Sequence, residues 1–181
     1  MTSSKFRVDK LAPGFDLGAF DCGEYEYNEW LANHASAVAS SGSSAVYLLL
    51  EREDTGADEK VVGYYAICPT LVVRDEIPKA KQRGLLRSVP GYLLAKLAVD
   101  RSLRGDTEKQ WGAQLLRDAI ERLIAASEAY GGQIIVVDAD NPALVGWYES
   151  HGFQPTGADD LRLFTKVSTA RRYLGDGQSS A

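Results

Sequence analysis

The chain has 181 residues, 45% hydrophobic and 25% charged, which suits one domain of ordinary size and excludes a largely disordered chain or a coiled-coil rod. A formal net charge of −5 makes a strongly basic nucleic-acid clamp the wrong default, so an anionic partner has to be met by a local patch. No apolar run approaches the roughly 20 residues that cross a bilayer, and the opening MTSSKFRVDK lacks a signal-peptide core. Two cysteines, Cys22 and Cys68, have no metal-ligand spacing and fit a reducing, cytoplasmic setting, with neither a metal nor a membrane implied.

In chain order, Asp21 with Glu24 three residues on reads as a capping box, followed by Tyr27, Trp30, Leu31, His34 and Val38 at helical spacing. This predicts one amphipathic helix from Glu24 to Ala39, ended by SSGSS. Ala45–Glu51 and Lys60–Cys68 are rich in β-branched and aromatic residues, with EDTGAD between them as a hairpin loop, and predict antiparallel neighbours. A third short strand is expected at Thr70–Arg74.

From Arg74 to Arg104 the basic residues Arg74, Lys79, Lys81, Arg83, Arg87, Lys96, Arg101 and Arg104 outnumber the acids Asp75, Glu76 and Asp100, so this stretch is +5 and the remainder −10. Within it, Tyr92–Val99 reads as a mostly buried central strand. Leu115, Leu116, Ala119, Ile120, Leu123 and Ile124 then mark one face of a long helix to Tyr130, stopped by Gly131 and Gly132. Gln133–Asp138 is a buried strand, Pro142–Ser150 a short helix with Pro in its first turn, and Leu161–Val167 a last strand. Residues 1–174 are expected to form a single domain, and the tail from Gly175 to be disordered.

Strand, helix and strand from Tyr92 to Asp138 imply a right-handed crossover and a parallel pair. Ligands of such sheets bind beyond the carboxyl ends of the parallel strands, here after Val99 and Asp138. Between Val99 and the long helix lies a polar turn with Gly105 and Gly112, where free helical N–H groups and close backbone approach suit a pyrophosphate. An ordinary strand–helix turn has the same appearance.

At these residues the sequence resembles the GNAT superfamily of acyl-CoA-dependent N-acyltransferases. The resemblance covers about Asp21 to Lys166 and rests on LAVDRSLRG, the helix after it, and NPALVGWYESHGF at Asn141–Phe153. FDCG at Phe20–Gly23, VVGYYAI at Val61–Ile67 and LLAKLAVD at Leu93–Asp100 resemble the branch that holds toxins of toxin–antitoxin pairs. The implied fold is α/β (α+β): a mixed central sheet with antiparallel N-terminal strands and a splayed parallel pair, flanked by helices. In the family a loop written Q/R-x-x-G-x-G/A binds the CoA pyrophosphate. Here Arg104-Gly105 match its beginning and Gly112-Ala113 its end, with DTEKQW between them, about three residues more than the pattern has. Either the loop bulges outward and keeps its two ends as the cradle, or donor binding is weakened or lost. Asp106 and Glu108 bring unfavourable negative charge toward the anion, which Lys109 and Arg104 can offset.

The resemblance implies acetyl-CoA as cosubstrate and direct attack of a primary amine in a ternary complex. The backbone N–H of Val99 is the expected donor to the thioester oxygen, and such a fixed donor is worth about 3–4 kcal/mol elsewhere. Leu97 and Ala98 are expected to pair with the pantetheine arm like an added strand. Tyr148 is the expected general acid for the departing thiolate; on residues alone it also reads as a packed aromatic. Asn141 is expected to orient the arm, though an Asn before Pro is also an ordinary helix start. No general base stands out: His34 lies on the apolar side of the first helix, and His151 is as well placed for a backbone hydrogen bond. An acyl-cysteine route through Cys22 or Cys68 has no neighbouring His to support it.

Toxins of the resembled branch acetylate aminoacyl-tRNA and are silenced by an antitoxin, so charged tRNA and an antitoxin are the implied partners. The polar stretch from Lys79 to Arg87, with Lys81 and Arg83, is the expected tRNA patch; it also reads as a solvated loop. The same chemistry on a small amine or a protein amine, and a non-catalytic binding module, are the alternatives. A homodimer is compatible with the sequence but not required by it.

Overall fold

The computed structural model describes residues 5–52 and 59–178, with side chains to residue 175; the expected EDTGAD hairpin loop lies outside the described residues. The chain divides into two compact units, residues 1–68 with 96–118 and residues 69–95 with 119–181. The strands form one seven-stranded sheet in the order β1-β2-β3-β4-β5-β7-β6.

In the first unit, β1 (Phe6–Lys10) pairs antiparallel with β2 (Ala45–Arg52), from Phe6↔Glu51 to Lys10↔Tyr47. Sequence alone does not reveal β1, because a half-exposed five-residue strand offers only Phe6 and Val8 to an alternation test. β2 pairs antiparallel with β3 (Glu59–Val73), with a bulge at Leu49/Leu50. The third strand expected at Thr70–Arg74 is the far end of this same β3. α1 (Tyr25–Asn33) and α2 (Ala35–Ser41) bury Leu31 and Ala35 in a core with Phe20, Val46, Leu48 and Tyr64.

The single helix expected over Glu24–Ala39 is corrected to these two. His34 at φ −120° ends α1 through its N–H to Trp30 O at 2.9 Å, and its own carbonyl accepts Val38 N–H to start α2. The capping box is also corrected: Glu24 is the cap residue and makes no side-chain cap bond. The Asp21 carboxylate instead accepts Gly23 N–H at 2.8 Å and Asn28 Nδ2 at 2.9 Å, closing a turn ahead of the helix. Gly42, at φ +75°, ends α2 as expected.

β4 (Ser88–Val99) and α3 (Trp111–Tyr130) each contribute to both units. β4 runs antiparallel to β3, since Asp100 N–H donates to Val62 O at one end and Arg74 N–H to Arg87 O at the other, both at 2.9 Å. In the second unit β4 pairs parallel with β5 (Ile134–Asp138) from Gly91↔Ile134 to Leu94↔Val137. The parallel step read from the sequence is therefore present. Gly91 has no room for a side chain: a Cβ there would lie 2.7 Å from Ile134 Cγ1. β5 pairs antiparallel with β7 (Arg162–Lys166), which also pairs with the two-residue β6 (Gln154–Pro155). Val72, Ile77, Leu85, Val89, Ile134, Val136 and Phe164 form this unit's core.

β4 is not the mostly buried strand expected. Leu94 and Ala98 are buried, Ala95 is exposed, and Lys96, Leu97 and Val99 are half-buried. The β5 ladder stops at Leu94 while β4 runs on to Val99. After β7, α5 (Val167–Gln178) carries helix past Gly175, where the disordered tail was expected to begin.

Candidate active site

The residues singled out by sequence fall into two groups, one in each unit. In the first unit, the main-chain groups of Ala98 and Asp100 are directed at β3. Ala98 O lies 3.3 Å from where a Cβ on Gly63 would stand, and Asp100 N–H donates to Val62. Backbone groups of successive strand residues point to opposite edges, so the N–H groups of Leu97 and Val99 point away from β3. Gly63 of the VVGYYAI segment also lets α3 approach: its absent Cβ would meet Leu115 Cδ2 at 3.3 Å.

The turn after β4 is organised by Asp100, a buried carboxylate with 4% exposure. It accepts Asp21 N–H at 3.0 Å, Ser102 N–H at 2.9 Å and Ser102 Oγ at 2.7 Å. Burial alone would push its pKa up. The hydrogen bonds from Asp21 and Ser102, with the Lys60 ammonium nearby, together hold it below the usual carboxylate range. Asp21 answers from the other side: its carbonyl accepts Arg101 N–H at 2.9 Å and its carboxylate pairs with the Arg101 guanidinium. Arg104 donates to Cys22 O. Gly23, at φ +88°, brings the backbone where a Cβ would stand 3.3 Å from the Arg101 side chain. The FDCG turn and the strand-end DRSLR are thus one clamp. Sequence reasoning missed it; the available signal was an Asp in each motif, Asp21 within FDCG and Asp100 at the end of LLAKLAVD.

The lengthened loop folds on itself. Lys109 N–H donates to Asp106 Oδ1 at 3.1 Å, and Lys109 Nζ pairs with the same carboxylate at 3.5 Å, so the negative charge of Asp106 is met within the loop. Arg104, the other expected offset, is engaged with Cys22. Gln110 takes a left-handed φ of +47° and turns the chain into α3. Its carbonyl accepts the N–H groups of Ala113 at 2.9 Å and Gln114 at 3.1 Å. Ala113 N–H is therefore spent inside the helix, while Trp111 and Gly112 stand in its first turn, where amides lack intrahelical acceptors. Gly105 faces open space. The Trp111 and Phe6 ring centroids are 4.2 Å apart, with Lys109 Nζ 5.5–5.7 Å from both, so the extra residues are anchored on β1. Beside them opens a cleft of about 510 Å³, lined in part by Lys5, Arg7, Gln114 and Asp118.

In the second unit, Asn141 and Tyr148 lie on α4 (Pro142–Ser150). Asn141 caps the helix, Oδ1 accepting Leu144 N–H at 3.2 Å. Tyr148 is buried at 6% exposure, its ring 4.9 Å from Trp147 and 5.7 Å from Phe153. Burial, and after it the charge of Asp140, pushes its phenol well above the ordinary value. His151 Nδ1 sits 2.7 Å from Trp147 O, the backbone bond that was one of its two readings. His34 is exposed rather than on an apolar face, because the helix breaks there. Burial raises the pKa of both cysteine thiols, the reverse of what a nucleophilic thiolate needs. Lys79, Lys81, Arg83 and Arg87 are all exposed, and Arg83 O also accepts Lys166 Nζ at 2.8 Å. No group of metal-ligating side chains occurs among the described residues.

No protein-family model matches the chain. A curated tRNA-acetylating toxin of Mycobacterium tuberculosis is 30% identical to it over 167 residues, covering 92% of this chain and 95% of that toxin. The chain belongs to the GNAT-type toxin acetyltransferases. Among solved structures of GNAT toxins, AtaT complexed with acetyl-methionyl-tRNAfMet is 29% identical, with a TM-score of 0.82 over 93% of this chain and 99% of that one. A tyrosine-to-phenylalanine variant of AtaT, bound to the C-terminus of the antitoxin AtaR and acetyl-CoA, is 28% identical, with a TM-score of 0.78 over 94% and 99%. In this GNAT toxin, LAVD is the end of β4, the glycine-flanked loop leads into α3, and the Trp147-Tyr148 pair lies on α4. Among the described residues, no helix is long and apolar enough to cross a membrane.

Proposed function

We propose that the protein is an acetyl-CoA-dependent N-acetyltransferase of the toxin type, acting in the cytoplasm on the amino group of aminoacyl-tRNA. The observation that carries this reading is the end of β4: Val99 N–H is turned away from β3, directly before a clamped loop that opens into the first turn of α3. That donor set fits a thioester tailed by a pyrophosphate. Gly112 and Trp111 offer backbone N–H groups at a helix start, where the partial positive charge is roughly half a unit, and Gly105 leaves the loop ahead of it open to close approach. Ala113 contributes small size rather than a hydrogen bond. Arg104 fixes the loop through Cys22 and adds positive charge beside it.

The thioester of acetyl-CoA supplies the activated acyl group. Val99 N–H donates to its carbonyl oxygen, where negative charge grows as the amine attacks, and Leu97 and Ala98 align the pantetheine arm. Asn141 has Oδ1 committed to its cap, so its bond to that arm comes from Nδ2. Tyr148 holds its proton at Oη and gives it to the departing sulfur. No side chain is assigned as base: an amine bound neutral attacks, and the proton its nitrogen then sheds passes through water to replace the one Tyr148 gave. Kinship with AtaT, solved with acetyl-methionyl-tRNAfMet and with the antitoxin AtaR, supports charged tRNA as acceptor and an antitoxin as partner here.

The test is a calorimetric titration with acetyl-CoA together with transfer of labelled acetyl to aminoacyl-tRNA. Saturable binding, transfer, and growth arrest on expression that Tyr148→Phe relieves are the expected results. Absence of acetyl-CoA binding would make the chain a non-catalytic module, and turnover of small amines without toxicity would move the acceptor away from tRNA.

A further inference from the structure

Gln133 follows the two glycines that stop α3 and immediately precedes β5. Its main chain is held on both sides, the N–H donating to Pro90 O at 2.7 Å and the carbonyl accepting Val167 N–H at 3.0 Å. Its half-buried side chain is spent on a different segment. Oε1 accepts Leu86 N–H at 3.1 Å and Nε2 donates to Gly84 O at 2.8 Å, so one amide bonds the chain on either side of Leu85. Leu85 is buried in this unit's core, and Gly84, at φ +81°, forms the turn before it. A primary amide set this way does for two residues what an adjacent strand does, offering one acceptor and one donor to the backbone.

The residues just outside that bracket are Arg83 and Arg87, and their carbonyls are held as well. Arg83 O accepts Lys166 Nζ at 2.8 Å, and Arg87 O accepts Arg74 N–H at 2.9 Å. Both arginine side chains are exposed. Arg7, Arg101, Arg162 and Arg171 are matched by acids: Glu59, Asp21, Asp138 and Glu128 in turn. Arg83 and Arg87 have no ion-pair partner among the described residues. Two cations without internal anions, on a backbone pinned at and between them, make a pair of set spacing. Such a segment meets two anions at a smaller entropic cost than one that has to be ordered on binding.

We propose that Gln133 is a positioning residue for tRNA: it holds residues 83–87 so that Arg83 and Arg87 meet two backbone phosphates without further ordering of the loop. This rests on the reading of Lys79–Arg87 as the tRNA patch and gives a role to a residue outside it.

Gln133→Met keeps the length of the side chain and removes both hydrogen bonds; Gln133→Asn, too short to span both, gives the same readout should the methionine variant not fold. The expected result is tRNA affinity lowered about tenfold, the cost of ordering two long side chains and their loop. The slope of log affinity against log salt should stay as it is, because the phosphates met in the complex are the same. In a background of Arg83→Ser with Arg87→Ser, Gln133→Met should cost nothing further, a non-additivity that a general loss of structure does not produce. Acetyl-CoA affinity, and the KM for an aminoacyl nucleoside without phosphate, should not move. An unchanged tRNA affinity, a changed salt slope, an equal loss in the double-serine background, or weakened acetyl-CoA binding would each overturn the proposal. Failure of the patch reading looks different: the two serines alone would leave tRNA affinity and slope at wild-type values, and the proposal falls with it. If the serines make the slope shallower by about 1.5 while Gln133→Met changes nothing, the patch stands and this proposal alone fails. A wild type that binds no tRNA overturns both.

Discussion

Tyr148 is a packed side chain to which the proposed mechanism also gives chemistry. Its ring is caged by Trp147 and Phe153, and the cage and Asp140 push its phenol above its ordinary value of 10. A raised pKa favours the neutral form, so the proton needed by a leaving thiolate is present throughout neutral and mildly alkaline pH. The rate should therefore climb with pH as the acceptor amine loses its proton, with no descending limb from this phenol below about pH 10. Tyr148→Phe should lower kcat by about 10²–10⁴ while leaving acetyl-CoA affinity within error, measured by initial rates across pH and by calorimetry. A descending limb near neutrality that this substitution removes would mean that the phenol is not held up as its burial requires.

At the scale of elements, the turn that follows β4 depends on contacts no local pattern contains. Asp100 reaches Asp21 across 79 residues and Arg101 reaches it across 80. Asp100→Ala would strand the N–H groups of Asp21 and Ser102, a loss of about 2–4 kcal/mol by the usual cost of unmet buried donors. It should lower the melting temperature and raise the KM for acetyl-CoA more than tenfold, because the loop that leads to α3 starts at this carboxylate. A loss of stability with unchanged acetyl-CoA affinity would show the clamp to be scaffolding only. The pH dependence has a definite sign. A carboxylate held below its usual range contributes stability above the unfolded value near 4, and that contribution disappears as the pH falls through the folded value.

For the molecule as a whole, the relevant fact is a net charge of −5 carried around a +5 stretch. Overall repulsion of an anionic partner has to be overcome locally, and Lys79, Lys81, Arg83 and Arg87 are exposed to do so. Replacing the four with Ser should make the salt slope of tRNA binding shallower by about 3, the counterion release of four phosphate contacts, with acetyl-CoA binding intact. An unchanged slope would reduce this stretch to a solvated loop.

Sequence alone determined the alternation of strands and helices, the parallel step from Tyr92 to Asp138, and the family, because periodicity, glycine stops and motif order are properties of neighbouring residues. It also located the glycine-flanked loop and the Asn141–Tyr148 segment. It misread what depends on distant partners. The helix break at His34 was invisible because the apolar spacing continues across it, and Asp21 was taken for a cap although its acceptors are claimed by Gly23, Asn28 and Arg101. β1 became a strand only by pairing with β2. How the residues of DTEKQW are held could not be read from spacing. It was decided by Phe6 lying against Trp111 and by Lys109 meeting Asp106, since the energy of a loop resides in what it touches after the chain has folded.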